Sequence, residues 1–367
     1  MAQIGSLTIK GFKSIRSLER FQLRPLNVLI GPNGAGKSNF LGALRFMSEV
    51  AGDNFPGYVQ KQGKAAAFLH GGLKRTQAME FEVQEGPQLT IGNGYRISLE
   101  VTNDGRFIFS REETWVRGSK TSASGKSYTL GRNHEEALVR TDPTQVGRYV
   151  RSMMQGWRQY HFHDTSEQAA VKLAHGKKDN LRLKPDAGNL AAYLGRLYRE
   201  FPENYSQIVA TIRLVAPFFG DFVQREDASD TVELEWTQKS DPDTPYGAKS
   251  LSDGTLRFIC LTTLLLQPLM LLPSTVLIDE PELGLHPYAI GVLADMLKQV
   301  SENRQLIIST QSVELLNAFT PEDVVVVDRE GDESTFRRLS SDELAGWLED
   351  YTPLGELWLR NVLGGRP

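Results

Sequence analysis

The chain has 367 residues with 40% apolar content, enough to bury a full core, and at ~150 residues per domain about two lobes are expected. Forty-one basic against forty-five acidic side chains leave a formal charge of −4, so any nucleic-acid contact has to come from a local patch and not from bulk charge. The single cysteine, Cys260, excludes an internal disulfide, and the opening MAQIGSLTIKGFKS holds no apolar core of signal-peptide length, from which a cytoplasmic protein without a membrane span is expected.

In chain order, Ile4, Leu7 and Ile9 fall in a strand-like segment, Gly11 marks a turn, and Phe12-Lys13-Ser14-Ile15 leads through Leu18, Phe21 and Leu23 to Pro25. That pattern predicts a strand pair. A plain hairpin and a contact of Phe12 or Lys13 with an adenine are both open. Residues 27–39, NVLIGPNGAGKSN, follow. Val28, Leu29 and Ile30 suit a buried parallel strand, and Gly31-x-x-x-x-Gly36-Lys37-Ser38 has the Walker A spacing of a phosphate-binding loop. Gly31, Gly34 and Gly36 permit dihedrals that turn N–H groups inward, Lys37 adds charge at the outer phosphates, and Ser38 offers a hydroxyl to Mg²⁺. The nucleotide-contacting positions are thus Asn33, Gly34, Ala35, Gly36, Lys37, Ser38 and Asn39. Phe40, Ala43, Leu44, Met47 and Val50 recur at helical spacing, which predicts a helix over 37–50 whose N-terminal dipole faces the anion.

Residues 52–72 are glycine-rich and weakly patterned. Residues 79–83, 95–101 and 105–113 alternate, and Gly92-Asn93-Gly94 and Asn103-Asp104-Gly105 between them read as hairpin turns. Residues 118–131, GSKTSASGKSYTLG with Lys120 and Lys126, read as a mobile solvated tip in preference to a phosphate-backbone or partner contact. Residues 157–163, WRQYHFH, predict a strand with His161 and His163 on one face. No acidic or sulfur ligand set surrounds them, so a metal site is not favoured. Helices are expected across 166–200, where His175, Lys177, Lys178, Arg182 and Lys184 make the most basic patch. A solvated surface is its default, and nucleic acid the rival. A helix over 206–219, a strand over 232–236 and the lack of a heptad repeat point to a compact cap.

A second chemical block begins at Ser250-Leu251-Ser252-Asp253-Gly254, ahead of a helix in which Leu256, Ile259, Cys260, Thr263 and Leu264 share a face. Ser252 and the helix-start amides around Gly254 make a second anion site. The greasy run 256–272 contains Arg257, Gln267 and Pro268, so a buried helix is expected, with Cys260 a core thiol. Val276-Leu277-Ile278-Asp279-Glu280 is a buried strand ending in paired carboxylates, the Walker B pattern. Asp279 is placed to organise Mg²⁺, and Glu280 to polarise the attacking water. A turn through His286-Pro287 leads to another helix, and Leu306-Ile307-Ile308 is a core strand ending in Ser309-Thr310-Gln311-Ser312, where a polar side chain reaches toward a γ-phosphate. Asp328 and Asp332, after a strand over 324–327, are assigned to a turn.

These motifs, GPNGAGKS at 31–38, LSDGTLR at 251–257, LIDEPELGLHP at 277–287, STQS at 309–312 and the ending LGELWLRNVLGGRP, resemble the ABC-type ATPases of the RecF, SMC and OLD kind, nearest to the stand-alone AAA_21 group. The resemblance implies an α/β ABC-type P-loop domain with an antiparallel β lobe and an inserted helical cap. Expected units are an N-terminal ATPase lobe over 1–165, a mixed insert over 166–249 and a C-terminal lobe over 250–367. It further implies ATP and Mg²⁺ as ligands and a head-to-tail homodimer, or higher homo-oligomer, with ATP between the loop of one chain and Ser252 of the other. Two departures stand out. Gln311 occupies the switch position usually held by histidine and carries no proton at neutral pH, so slow turnover is expected. Asp253 replaces the glycine typical of transporters, and no clear Q-loop precedes it, His163 or Asp164 being the candidates. OLD relatives carry a nuclease after the ATPase, whereas only about fifty residues follow Gln311, so a nuclease is expected on another polypeptide. The functional expectation is an ATPase whose dimerisation controls a separate effector, in anti-phage defence or DNA maintenance. The alternative is a non-catalytic ATP-bound scaffold.

Overall fold

The structure, a computed structural model, describes residues 3–86, 92–118, 125–225, 229–348 and 353–365. The N-terminal half runs β1 (Ile4–Phe12), β2 (Ile15–Gln22), β3 (Leu26–Ile30), α1 (Lys37–Val50), α2 (Phe55–Lys61), β4 (Ala78–Glu85), β5 (Gly92–Val101), β6 (Phe107–Arg117), β7 (Lys126–Gly131), α3 (Gln145–Gln155) and β8 (Trp157–Tyr160). Then come β9 (His175–Gly176), α4 (Leu190–Glu200), α5 (Pro202–Val215), β10 (Phe219–Phe222), β11 (Thr231–Val232), β12 (Glu235–Gln238) and β13 (Asp241–Gly247). The remainder is α6 (Asp253–Leu266), β14 (Thr275–Asp279), α7 (Pro287–Ser301), β15 (Gln305–Ser309), α8 (Val313–Leu316), β16 (Val324–Glu330), β17 (Glu333–Arg338), α9 (Ala345–Leu348) and α10 (Leu354–Leu359).

A six-stranded sheet in the order β17-β16-β3-β15-β14-β8 forms the centre, parallel except for β17. The four inner strands β16, β3, β15 and β14 carry continuous apolar runs because both of their faces are covered. Val28, Ile30, Val276, Ile278, Leu306 and Ile308 enter one hydrophobic core, while Leu29, Leu277, Ile307, Val325 and Val327 enter another. Each such side chain, fully buried, contributes about 1.5–3 kcal/mol. The second core is closed by an antiparallel sheet in the order β2-β1-β4-β5-β6-β7, with α1 between the sheets. Phe46 of α1 meets Phe68, Phe81, Phe55 and Phe12 at ring-centroid separations of 5.1, 5.2, 5.3 and 5.6 Å. Phe12 is therefore fully buried in this cluster and not available to stack on an adenine.

Several expected elements differ. Gly92-Asn93-Gly94 is not a turn but strand, opposite Arg117, Val116 and Trp115. Gly94 is glycine because a Cβ there would lie 2.1 Å from the Trp115 ring. Asn103-Asp104-Gly105 does turn, with the Gly105 N–H donating to the Thr102 carbonyl at 2.9 Å. In the segment assigned to a mobile tip, Lys120 lies outside the described residues, whereas Lys126 opens β7 and faces Val116 across the sheet. Residues 166–189 are largely irregular where helices were expected, and the first α-helix of this region begins at Leu190. The fully buried Asn189 accounts for the difference. Its amide donates to the carbonyls of Asp179 and Arg182, both at 2.8 Å, and accepts from Lys184 N at 2.9 Å, holding the chain in a loop. The basic patch is partly neutralised there, since Lys184 pairs with Asp179. Asp328 is strand, not turn, and accepts from Gly365 N at 2.8 Å; the turn falls at Gly331 and Asp332.

Helix α6 is buried along most of its length and ends ahead of Pro268. Among the described residues no helix is long and apolar enough to cross a membrane. Burial pushes the Cys260 thiol up to about 12, so it is protonated at neutral pH. Cys260 is expected to react with a thiol reagent only on unfolding, at least ~100-fold slower than a free thiol in native buffer. Rapid labelling of the folded chain would contradict this burial.

Far from the parallel sheet, Glu112 of β6 is completely enclosed and accepts four hydrogen bonds. These come from Tyr95 OH at 2.7 Å, the Leu138 and Val139 amides at 2.8 Å each, and His134 Nε2 at 2.6 Å. The His134 ring stacks on Phe109 at 5.0 Å. Burial, reinforced by Glu112 beside it, holds the Tyr95 phenol well above its ordinary range.

Candidate nucleotide site

The loop after β3 takes the shape its glycines permit, with φ of +150°, +78° and +119° at Gly31, Gly34 and Gly36. Two of the three are also steric requirements. A Cβ on Gly31 would sit 2.0 Å from the Val327 carbonyl oxygen, and one on Gly36 would sit 2.1 Å from Ser334 Oγ. The β16–β17 hairpin thus presses on the loop from behind. Ser334 Oγ donates to the Ala35 carbonyl and bonds Ser14 Oγ at 2.7 Å; Asn39 Nδ2 donates to Ser14 Oγ at 2.7 Å, and Arg329 to the Gly34 carbonyl at 3.0 Å. Sequence spacing drew attention to neither Ser334 nor Arg329, which lie about 300 residues from their contacts.

At the start of α1, Gly36 provides no side-chain cap. The first-turn N–H groups therefore have no side-chain acceptor in front of them, which fits an anionic ligand. Asn33, Gly34 and Ser38 are exposed on this rim, whereas Ala35, Gly36 and Lys37 are buried. Lys37 Nζ folds back to donate to the carbonyls of Gly31 at 2.7 Å and Pro32 at 3.2 Å. Burial holds the Lys37 ammonium below its ordinary range, opposed by the negative fields of Glu280, Asp279 and Glu282.

The carboxylates arrive on β14, separated from β3 by β15. Asp279 ends the strand opposite Ser309, whose Oγ donates to Asp279 Oδ1. Glu280 sits in the left-handed region with φ +43°, its N–H bonded to the Ser309 carbonyl at 2.9 Å. A non-glycine residue there costs about 1–3 kcal/mol and persists because its surroundings fix it. Gln311 Nε2 donates to Glu280 Oε1. Glu282 accepts from Thr310 Oγ1 at 2.6 Å and Gln311 N at 3.1 Å. Burial moves the Glu282 carboxyl above its usual range.

His163, just beyond β8, places Nε2 2.8 Å from the Asp279 carbonyl, while Asp164 accepts from Ser166 N at 3.0 Å. Arg257 of α6 donates to the carbonyls of His163 at 2.8 Å and Leu283 at 2.9 Å, tying the two segments beside Asp279 to one helix. Ser252 is the N-cap of α6, its Oγ accepting from Thr255 N at 3.2 Å, and Lys172 reaches Asp253 at 3.6 Å. Gly254 packs closely on Gly284, whose carbonyl would be 2.5 Å from an added Cβ. Among the described residues no hydrogen bond joins Ser252 or Gly254 to the phosphate loop of the same chain. Likewise, no group of three or more His, Cys, Asp or Glu side chains is gathered for a metal. Ser38 and Asp279 are of the oxygen-donor type that would hold Mg²⁺, with phosphate and water to supply its other ligands.

A two-sheet α/β domain with Walker motifs at the ends of two parallel strands, one strand apart, defines the ABC-type ATPases of the RecF/SMC/OLD group. Residues 26–317 match AAA_21, described as "AAA domain, putative AbiEii toxin, Type IV TA system", and the chain belongs to that family. It is 21% identical over 393 residues to the Old nuclease of Escherichia phage P2, covering 96% of this chain but only 63% of that protein. Its fold is similar to a crystal structure of an Smc head bound to the C-winged helix domain of ScpA, with TM-score 0.63, 15% identity and coverage of 93% and 99% of the two chains. An Smc head with an extended coiled coil, bound to the C-terminal domain of ScpA from Pyrococcus furiosus, gives TM-score 0.61 and 15% identity over 96% and 100%.

Proposed function

We propose that the chain binds Mg²⁺-ATP and hydrolyses it slowly, and that ATP joins two copies head to tail to control a separate effector. The observation that carries this reading is the meeting of Lys37, Asp279 and Glu280 in one electrostatic neighbourhood, with Gln311 bonded to Glu280. When bound, Mg²⁺ supplies a cation that polarises the phosphate chain. Gly34, Ala35 and Gly36 with the flanking Asn33 and Asn39 shape the cradle, Lys37 charges it, and Ser38 and Asp279 offer the metal their oxygens. Glu280 accepts the proton of the attacking water, and Gln311 orients that carboxylate. Ser252, exposed at the start of α6, and Gly254 beside it serve the loop of a second copy. Three units, 1–165, 166–249 and 250–367, are proposed to divide these tasks. The effector is proposed to be a protein, a nuclease being the first candidate since the matched relative is named one, with action in anti-phage defence or DNA maintenance. A nucleic-acid contact through the 175–184 segment remains the rival use of that surface.

Gln311 favours one second reading, a scaffold in which bound ATP is structural, because an amide neither takes nor gives a proton at neutral pH. Light scattering on wild type and Glu280→Gln, with and without Mg²⁺-ATP, separates the two. A twofold rise in mass with ATP, longest-lived in Glu280→Gln, is expected of a hydrolysis-reset dimer. A mass indifferent to ATP would refute the switch and favour the scaffold.

A further inference from the structure

We propose that Glu282 is a positioning residue of this site: its carboxyl holds the Thr310 hydroxyl and the Gln311 backbone N–H and so aims the Gln311 side-chain amide at Glu280. The inference deepens the hydrolytic reading above and rests on it.

Hydrogen bonds fix the loop leaving β15 at both of its ends. Thr310 N donates to the Leu29 carbonyl of β3 at 3.0 Å, which fixes where the loop begins. Ser312 caps α8 by accepting from Leu315 N at 3.0 Å, which fixes where it ends. Between these anchors, Gln311 N has Glu282 Oε1 as its partner, and the same oxygen receives the Thr310 hydroxyl. That hydroxyl oxygen in turn accepts from Ser312 N at 2.9 Å, so one carboxyl oxygen organises three successive residues. A turn sends the chain back to deliver it: Leu283 N bonds the Glu280 carbonyl at 3.2 Å, and Leu285 N the Glu282 carbonyl at 3.0 Å. Glu280 and Glu282, two apart, thus engage the same loop, one through the Gln311 side chain and the other through its backbone.

The enclosure of Glu282 is what makes this more than a surface contact. The residue is 8% exposed, and its Oε2 is buried with no hydrogen-bond partner among the described residues. Burial raises its carboxyl pKa, with Glu280 nearby acting in the same direction, and the hydrogen bonds from Thr310 and Gln311 oppose it. A glutamine amide keeps the shape of the carboxyl and an accepting oxygen in the place of Oε1. The grip is therefore expected to survive Glu282→Gln and to fail in Glu282→Ala.

The test uses the full chain as wild type, Glu282→Gln, Glu282→Ala, Gln311→Ala and the Glu282→Ala/Gln311→Ala double variant. Steady-state phosphate release and hydrogen exchange of the 309–312 segment are both measured. Glu282→Ala should lower kcat by about 10–100-fold, the scale of an ångström-sized misplacement, with KM changed less than about threefold. It should also lose exchange protection at 310–312, while Glu282→Gln keeps kcat within about fivefold. The double variant should be no slower than Gln311→Ala, since Glu282 acts through that residue. Unchanged exchange in Glu282→Ala, multiplicative losses in the double variant, or equal damage by Gln and Ala would each overturn the proposal. If Glu282→Ala does not fold, Thr310→Val removes the grip from the opposite partner and is read in the same two ways. If wild type releases no phosphate, the hydrolytic reading fails on its own; unchanged exchange then overturns the grip, and lost protection upholds it.

Discussion

Glu280→Gln is expected to lower phosphate release by about 10²–10⁴-fold, while ATP affinity stays within about threefold. The substitution preserves side-chain length and the left-handed backbone, but an amide does not accept the proton of an attacking water. Its structural cost should be small, because Glu280 N remains bonded to the Ser309 carbonyl and Lys37 of the phosphate loop donates to Gly31 and Pro32, not to Glu280. A parallel loss of ATP affinity would assign Glu280 to binding. Unchanged turnover would remove it from the chemistry and bring the scaffold reading forward. Single-turnover phosphate release together with nucleotide titration distinguishes these results.

Glu112→Ala is expected to cost about 3–5 kcal/mol of stability, in the range for breaking a buried charged network from one side. The reason is what the alanine would leave behind. Tyr95 OH, His134 Nε2 and the amides of Leu138 and Val139 all donate to this carboxylate, and a small apolar side chain strands them without water. A urea melt measures the effect, and a loss below about 1 kcal/mol would show that the pocket relaxes or admits solvent. Since Glu112 lies in the antiparallel sheet and its four hydrogen bonds go to Tyr95, His134, Leu138 and Val139, not to the phosphate loop, the folded fraction should still bind ATP.

The residues proposed to carry the chemistry stand out in the sequence because their signals are local. Gly31 to Ser38 is one strand, one loop and one helix start, and Val276 to Glu280 is one strand end, so fixed spacing carries the geometry. The supports were not legible, because they are made by distant chain. Ser334 shapes the loop through Gly36, and Arg257 ties His163 to Leu283, yet no periodicity links these positions. Glu282 was visible as part of LIDEPELGLHP, but only the fold shows that it turns away from Glu280 to hold Thr310 and Gln311. The errors follow the same line. Gly92-Asn93-Gly94 looks like a turn until Trp115 is seen to need the space, and 166–189 looks helical until the buried Asn189 is counted. The antiparallel lobe and the parallel core were the readable part of the fold, for alternating and continuous apolar runs report whether one face or both are covered.

The strand order has a consequence for synthesis. β3, which carries the phosphate loop, has β15 and β16 as its two neighbours, and both emerge nearly 300 residues after it. During translation, at roughly 5–20 residues per second, the loop therefore leaves the ribosome many seconds before either flank exists to hold it. The first motif to be made is among the last to be locked, so the growing polypeptide cannot hold nucleotide in a finished cradle until its far end has arrived.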